Sequence, residues 1–132
     1  YYMIEPDYAN GCIYLKRGDK IERAFNFKEF VSAKQFEPVQ AMRNKLVKAS
    51  KGLITLTETE ADNLDLNFYS IVTQTAFTNA LPYDEAINIM TTAEVGELAE
   101  ETLIFLINWS SIEAVKRYAS QLAETKKKEI LP

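Results

Sequence analysis

The sequence predicts a mainly α-helical fold: a helical bundle of about five helices with a short N-terminal β-hairpin. Two β-like segments flank a glycine turn in residues 12–25, and apolar residues recur at helical spacing after them. Three Ser/Thr-x-x-Glu sequences, which are typical of helix starts, each precede an apolar stripe. The 132 residues can bury one sizeable core, so we expect a single domain over 1–132. It would comprise a hairpin region 1–25, a helical core 26–123 and a frayed basic tail 124–132.

The hairpin is predicted over residues 12–17 and 20–25. The loop between them is Gly18-Asp19, and a glycine at its first position suits the positive φ that a two-residue hairpin turn requires. We therefore expect two antiparallel strands that meet at this turn.

The first two helices are predicted on either side of Pro38. Asn26 is the expected N-cap of the first, because apolar residues fall at helical spacing in residues 27–36. Pro38 suits the first turn of the second helix, and Gly52 lies just past its expected end. The apolar side of this second helix holds Val39, Met42, Leu46 and Val47.

Three capping boxes mark the starts of further helices. In a capping box, the N-cap hydroxyl and a glutamate three residues later each accept a hydrogen bond from the other's backbone amide. The three pairs are Thr57 with Glu60, Thr91 with Glu94, and Ser110 with Glu113. The first opens a helix that we expect to run to about Leu81, a shorter helix restarts at Pro82, and the other two boxes open the last two helices.

The residue types present exclude several classes of chemistry. The chain has no histidine and one cysteine, Cys12. These absences exclude Ser-His-Asp and Cys-His catalysis, histidine-ligated metals, an intramolecular disulfide and a thiolate zinc site. Carboxylates with a bound metal are the chemistry that remains, and we expect no enzymatic activity, no cofactor and no resident metal. No signal peptide or membrane span is visible, so we expect a cytoplasmic protein.

The charged residues fall into three blocks. Residues 1–52 hold ten Lys/Arg against six Asp/Glu, residues 53–113 hold eleven Asp/Glu and no Lys or Arg, and residues 114–132 hold five Lys/Arg against two Glu. A segment without a cation cannot neutralise its own charge. Solvent, the basic flanks or a basic partner must meet it.

The densest carboxylates share one face of a predicted helix, opposite its apolar stripe: Glu94, Glu97, Glu100 and Glu101. Their spacing resembles the first half of the helical motif of the MazG family of nucleotide pyrophosphohydrolases, in which glutamates surround magnesium. That family adds a second Glu-x-x-Asp pair on the next helix. Here no Asp follows Asp84, and Lys116 lies three residues after Glu113. We interpret the cluster as a solvated helix face, with a Mg-dependent pyrophosphohydrolase as the enzymatic alternative.

The acidic block also permits a different interpretation as a nucleic-acid mimic. Carboxylates spaced along an exposed surface can imitate a phosphate backbone and occupy the basic groove of a nucleic-acid enzyme, which would make this protein an acidic inhibitor. Binding of nucleic acid by the chain itself is not expected, because its cations are not interleaved with aromatic residues in a recognisable module.

Gly96 lies inside the predicted helix that carries Glu94, Glu97, Glu100 and Glu101, which we call the acidic helix. Glycine in a helix interior destabilises it by about 0.5–1 kcal/mol relative to alanine, so its presence needs a reason. We expect close approach of another helix, and a ligand or partner backbone is the alternative.

The order of elements along most of the chain forms one further pattern. The predicted order begins with a β-strand at 13–16 and a helix at 27–36, followed by the segment 39–42. A helix at 66–80 comes next, and residues 90–95 then lead into a helix that ends at Trp109. This order resembles the tail assembly chaperones of long-tailed bacteriophages, of the lambda type. Members of that family are often made in two forms by a ribosomal frameshift near the end of the short reading frame. Lys126-Lys127-Lys128 fits, since an A-rich slippery codon run encodes lysines.

The resemblance implies protein binding without chemistry. Such chaperones coat the long, largely helical tape-measure protein until tail-tube subunits polymerise around it. The implied partners are the tape-measure protein, the tail-tube protein and further copies of the chain, with no nucleic acid and no membrane. The implied location is the cytoplasm of the bacterial host during virion morphogenesis, and the mature virion is not expected to contain the chaperone.

The partner-binding residues that we expect lie on the acidic helix. They are the exposed carboxylates Glu94, Glu97 and Glu101, joined by partly exposed Phe105 or Trp109. Burial in the core is the alternative for both aromatic residues.

Overall fold

Three antiparallel strands open the fold in the computed structural model, which describes residues 2–108. Strand β1 is Met3–Asp7, β2 is Cys12–Arg17 and β3 is Lys20–Asn26, and the sheet order is β1-β2-β3. The predicted hairpin is confirmed, because β2 and β3 pair across a turn in which Gly18 has a φ of 63°.

Five helices follow the sheet within residues 2–108. They are α1 (Ala33–Ser50), α2 (Glu58–Asp62), α3 (Leu64–Ala76), α4 (Tyr83–Ile89) and α5 (92–108). In this part of the chain, no helix combines the length and apolar character that crossing a membrane requires.

The chain divides into two compact units, Tyr1–Thr102 and Leu103–Pro132. The first contains the sheet, α1 to α4 and residues 92–102 of α5. In the second, residues 103–108 are helical and Leu106 is buried. The predicted last helix from Ser110 and the predicted frayed tail 124–132 lie outside the described residues. The single domain over 1–132 stays a prediction.

Strand β1 makes the predicted fold class wrong. The predicted helical bundle had only a two-stranded hairpin, whereas the protein combines a three-stranded sheet with helices in an α+β fold. In the added pairing, Ile4 lies opposite Leu15 and Pro6 opposite Ile13. The turn into β2 contains Asn10-Gly11, with a Gly11 φ of 64°. This dipeptide is a strong hairpin signal that the sequence interpretation did not use.

A single helix, α1, replaces the two helices predicted around Pro38. The Ser32 hydroxyl accepts from the Gln35 amide at 3.1 Å, and Gln35 Oε1 accepts from the Ser32 amide at 2.9 Å. This capping box starts the helix at Ala33, so the predicted N-cap at Asn26 is wrong. Pro38 lies close to the helix start, where its missing amide removes one backbone hydrogen bond. The predicted closure is confirmed, since Gly52 has a φ of 74° and its amide donates to the Ala49 carbonyl.

The segment after β3 is held by the segment after α3 and therefore does not form a helix. Phe27 forms a β-bridge with Phe77, and the Lys28 amide donates to the Ala76 carbonyl at 2.8 Å. The Asn79 side chain donates to the Ala24 carbonyl and accepts from the Asn26 amide, both at 2.8 Å. These bonds satisfy backbone groups at the end of β3 that would otherwise need a neighbouring strand. They also connect the sheet to the end of α3.

The long helix predicted after Thr57 is shorter and broken. Its capping box is confirmed, since Thr57 and Glu60 exchange the two expected hydrogen bonds. Asn63 separates α2 from α3, and α3 ends at Ala76 instead of near Leu81. The chain then turns at residues 78–79.

The core of the first unit joins the inner sheet face to the helices. The fully buried large side chains of this unit are Ile13, Leu15, Phe25, Val39, Tyr69, Val72 and Leu98. The Phe25 and Phe77 rings lie 5.5 Å apart between centroids, and the Tyr69 hydroxyl donates to the Leu81 carbonyl at 2.7 Å. Buried residues of the sheet, α1, α3 and α5 thus make up this core, and Val39 is the one residue that α1 buries.

Candidate protein-binding groove

An open groove of about 310 Å³ separates α1 from α2 and α3; we call it the α1-α3 groove. It lies wholly within the first unit. Its apolar lining consists of Pro38, Ala41, Met42, Leu46, Leu56, Leu64 and Ile71, and its polar lining of Lys45, Glu60 and Asn67. The groove is thus apolar along its length with a few polar groups, as in ligand and peptide clefts.

The groove exists because α1 touches the rest of the fold along a narrow strip. Val39 is the one buried residue of α1, while Met42 and Leu46 are half-buried at the groove. The apolar side predicted for this helix is therefore divided. Val39 packs in the core, Met42 and Leu46 line the groove, and Val47 is 43% exposed on the far side.

One ion pair crosses the groove. The Lys45 ammonium pairs with Glu60 Oε2, while Glu60 Oε1 accepts from the Thr57 amide at 3.2 Å. The capping box of α2 thereby fixes the carboxylate that meets α1. Within residues 2–108, this is the one salt bridge between the basic and acidic blocks, so the basic flank leaves most of the acidic charge to solvent or a partner.

The dimensions of the groove match two turns of a helix. Its α1 wall extends from Pro38 to Leu46, about 12 Å, and its α3 wall from Leu64 to Ile71, about 10 Å. An amphipathic helix presents anchors at i, i+4 and i+7 over the same distance. The groove can therefore hold one apolar helical stripe of another polypeptide.

Glu94, the first predicted binding residue, is not exposed. It is 8% accessible, and its capping box with Thr91 is confirmed: Glu94 Oε1 accepts from the Thr91 amide at 3.0 Å, and the Thr91 hydroxyl accepts from the Glu94 amide at 3.2 Å. Glu94 Oε2 accepts from the Tyr2 amide at 2.6 Å. Burial acts to raise the Glu94 pKa, but the hydrogen bonds from Thr91 and the Tyr2 amide together lower it below its ordinary 4.5. Glu94 therefore ties α5 to the chain before β1 and is not available to a partner.

This environment gives stability a pH dependence that Glu94→Gln should reduce. Since the folded-state pKa of Glu94 lies below the unfolded value of 4.5, its contribution is fully present above pH 4.5 and is lost as the pH falls through the folded-state pKa. The difference in unfolding free energy between wild type and Glu94→Gln should be constant near neutral pH and shrink in acid. Denaturant titrations across this range measure it. A difference that is the same at every pH would contradict the assignment.

The other predicted binding residues differ in their exposure to solvent. Glu97 is exposed and Glu101 half-buried, so their binding role stays a prediction. Phe105 is 3% exposed, which makes its predicted partial exposure wrong and favours the alternative of burial. Trp109 lies outside the described residues. Glu94 is removed from the set because its two oxygens already accept backbone hydrogen bonds.

The carboxylates of the described residues do not gather into a metal-binding group. Among residues 2–108, no three Asp, Glu or Cys side chains are placed to hold one ion. The half-motif that resembles the MazG family is divided, since Glu94 is turned inward and Glu97 outward.

Gly96 has open space where a side chain would be. A Cβ built on it meets no atom within 4 Å, so the predicted close approach of another helix is wrong. Gly96→Ala should therefore raise the unfolding free energy by about 0.5–1 kcal/mol, because alanine favours the helix and displaces nothing. Chemical denaturation measures this, and the difference between Glu100→Ala and Glu100→Gly, at another exposed position of α5, sets the scale. A destabilised Gly96→Ala would contradict the open space.

The sequence predicts apolar helix faces that include groove residues, but it does not predict a groove. Met42 and Leu46 lie on the predicted apolar side of one helix, and Leu64 and Ile71 lie in the helix predicted after Thr57. Their periodicity shows which helix face is apolar, but it does not show how far apart two such faces lie. Comparison with known proteins adds no assignment: the chain matches no protein-family model, no curated protein and no solved structure.

Proposed function

We propose that this chain is a non-enzymatic tail assembly chaperone that binds an apolar helical segment of a tape-measure protein in the α1-α3 groove. The observation that carries the proposal is the groove itself, an apolar surface left open between two helices. Apolar surface in contact with water is unfavourable, and a partner's apolar side chains remove it from water. The sequence resemblance to that family also supports the proposal at residues 13–16, which form a strand, and 66–76, which form a helix, whereas residues 27–32 are not helical.

The chemistry of the groove suits a partner with many similar segments. Met42 is flexible and adapts to different side-chain shapes, and the leucine residues make contacts without directional demands. Lys45 and Glu60 place both signs of charge at one position, so a partner that carries either sign nearby finds a counter-charge. A chaperone that coats a long helical protein needs this combination of apolar affinity and low sequence specificity.

Release is the second requirement of such a chaperone. One groove that covers two helical turns gives weak affinity by itself, and many copies along one tape-measure protein give stable coverage. Tail-tube subunits that bind the same segments would displace the copies one at a time. The protein would act in the cytoplasm of the bacterial host, and the mature virion would not contain it.

Co-expression tests the proposal. The full chain would be produced together with a candidate tape-measure protein, with and without the tail-tube protein, and soluble tape-measure protein would be measured. We expect the chain to keep the tape-measure protein soluble and to co-purify with it, and the tail-tube protein to reduce this co-purification. A tape-measure protein that stays insoluble with the chain present would overturn the proposal.

Gene order gives an independent check. The proposal predicts that the gene lies between the tail-tube and tape-measure genes, with a slippery heptamer under the codons for Lys126 to Lys128. A gene outside a virion morphogenesis cluster would count against it.

A further inference from the structure

The charges of the first unit are separated along the chain and among its elements. Through residue 52 the described chain carries a basic excess, whereas residues 53–108 hold ten Asp/Glu and no Lys or Arg. The Lys45 to Glu60 pair is the one salt bridge between the two regions in residues 2–108. The molecule therefore has a basic helix, α1, and an acidic surface on α3, α4 and α5, and most of each charge faces solvent.

The acidic surface contains a second groove, of about 110 Å³, which we call the α4-α5 groove. Phe68, Tyr83 and Ile87 form its apolar walls, Gly96 lies on α5 where a side chain would fill the space, and Asp65 lies at its edge. Ile87 is 49% exposed. The groove has room for one apolar side chain, and the fold itself leaves it unfilled.

Asp65 lines this groove, and exposed carboxylates lie close in sequence to its lining residues on the other two helices. Asp65 is exposed on α3, Asp84 is exposed on α4 beside Tyr83, and Glu100 is exposed on α5 one turn after Gly96. An apolar side chain flanked by cations is the chemistry that complements such a groove.

The outer side of α1 carries a stripe of that composition. Arg43, Val47 and Lys51 follow one another at intervals of four residues, and all three are exposed. Val47 is 43% exposed, with one cation a turn before it and another a turn after it. The stripe lies on the opposite side of α1 from Met42 and Ala41, so it is accessible even when the α1-α3 groove is occupied.

We infer that the α4-α5 groove of one copy binds the Arg43-Val47-Lys51 stripe of a second copy. Val47 enters the groove over Gly96, and the two flanking cations face the exposed carboxylates of α3, α4 and α5. Charge complementarity selects a second copy as the occupant, because this chain itself presents both matching surfaces. The inference does not depend on the proposed function, since the contact requires no other protein.

The two surfaces differ, so the contact is head-to-tail. A copy that binds a neighbour through its stripe still has a free groove. That neighbour, whose groove is filled, still has a free stripe. Such a contact adds copies in a row and does not stop at a symmetric dimer. A row of copies, each with a free α1-α3 groove, is suited to covering a long partner.

Sedimentation velocity of the full chain tests the contact, with Val47→Glu to spoil the stripe and Gly96→Met to fill the groove. Gly96 has helical backbone and no atom within 4 Å of a built Cβ, so the methionine should not disturb folding. Ala33→Glu is the matched control, since it adds the same charge to α1 about 21 Å from Val47. Circular dichroism confirms that each variant folds.

We expect wild type and Ala33→Glu to associate with rising concentration at low salt. Raising salt to about 1 M, where the Debye length is about 3 Å, should weaken this association about tenfold or more. Val47→Glu and Gly96→Met should each be monomeric. Their equimolar mixture should form a one-to-one dimer and nothing larger, because one intact stripe and one intact groove remain.

Four results would overturn the inference. They are a monomeric wild type at low salt, association that salt does not weaken, association that survives either variant, and a mixture of monomeric variants that does not pair. The last result would indicate that both positions belong to one symmetric contact. Co-purification with a tape-measure protein by a monomeric wild type would uphold the proposed function while overturning this contact.

Discussion

Replacement of Phe25 by alanine should lower the free energy of unfolding by about 3–5 kcal/mol. Phe25 is 1% exposed, lies opposite Ile13 in the sheet, and packs against Phe77. The truncation leaves a cavity where the sheet meets the segment after α3. This loss is a large share of the about 5–15 kcal/mol that stabilises an ordinary domain. Urea denaturation followed by circular dichroism measures it.

Phe30→Ala is the matched control for Phe25→Ala. Phe30 is 72% exposed, so the same truncation should change the unfolding free energy by no more than about 0.5 kcal/mol. Similar losses for both variants would contradict the sheet packing described above.

Met42→Asp should weaken binding of the partner by about 2 kcal/mol or more, which is about thirtyfold. The substitution places a charge in an apolar groove that a bound helix would desolvate, and the cation nearest in sequence, Lys45, is already paired with Glu60. The fold should persist, because Met42 is only half-buried. Titration of the tape-measure protein, followed by calorimetry, measures the change.

Gln40→Asp is the matched control for Met42→Asp. Gln40 is exposed on the other side of α1, and its replacement adds the same charge within the same helical turn. It should bind as wild type does. Equal weakening by both variants would assign the effect to net charge and contradict the groove.

Local signals in the sequence predicted local structure well. Gly18-Asp19 indicated the β2-β3 turn, Gly52 the end of α1, and the capping boxes at Thr57 and Thr91 two helix starts. Each of these depends on a few neighbouring residues. Such patterns carry their physical cause within the segment itself.

Contacts between residues distant in sequence explain why the helix predicted at residues 27–36 is wrong. Residues 27–36 have helical spacing, but Phe27 and Lys28 bond to the segment around Phe77, which is distant in sequence. Pro38 was interpreted as a helix start, although the capping box at Ser32 lies upstream and the helix tolerates the proline. Strand β1 was missed for a local reason, because the Asn10-Gly11 turn between it and β2 was not interpreted as a hairpin signal.

Neither the apolar character nor the position of the candidate groove was predicted. Clustered carboxylates indicated a binding surface on α5, yet Glu94 serves as a capping residue and accepts the Tyr2 amide. The groove beside Met42 arises where two apolar helix faces do not close on each other. Val39 on α1 and Val72 on α3 are both buried, and the separation of the two helix faces is not encoded in either segment alone.

The central claim is that a partner helix occupies the α1-α3 groove, and a probe attached there tests it most directly. Cys12 is buried, so an introduced cysteine can be labelled selectively. Ala41→Cys, exposed within the groove, would carry a nitroxide, and Gln40→Cys would carry it on the other side of α1. On addition of tape-measure protein, we predict that the probe at position 41 becomes immobile while the probe at position 40 does not. Binding that leaves the probe at position 41 as mobile as before would contradict the account.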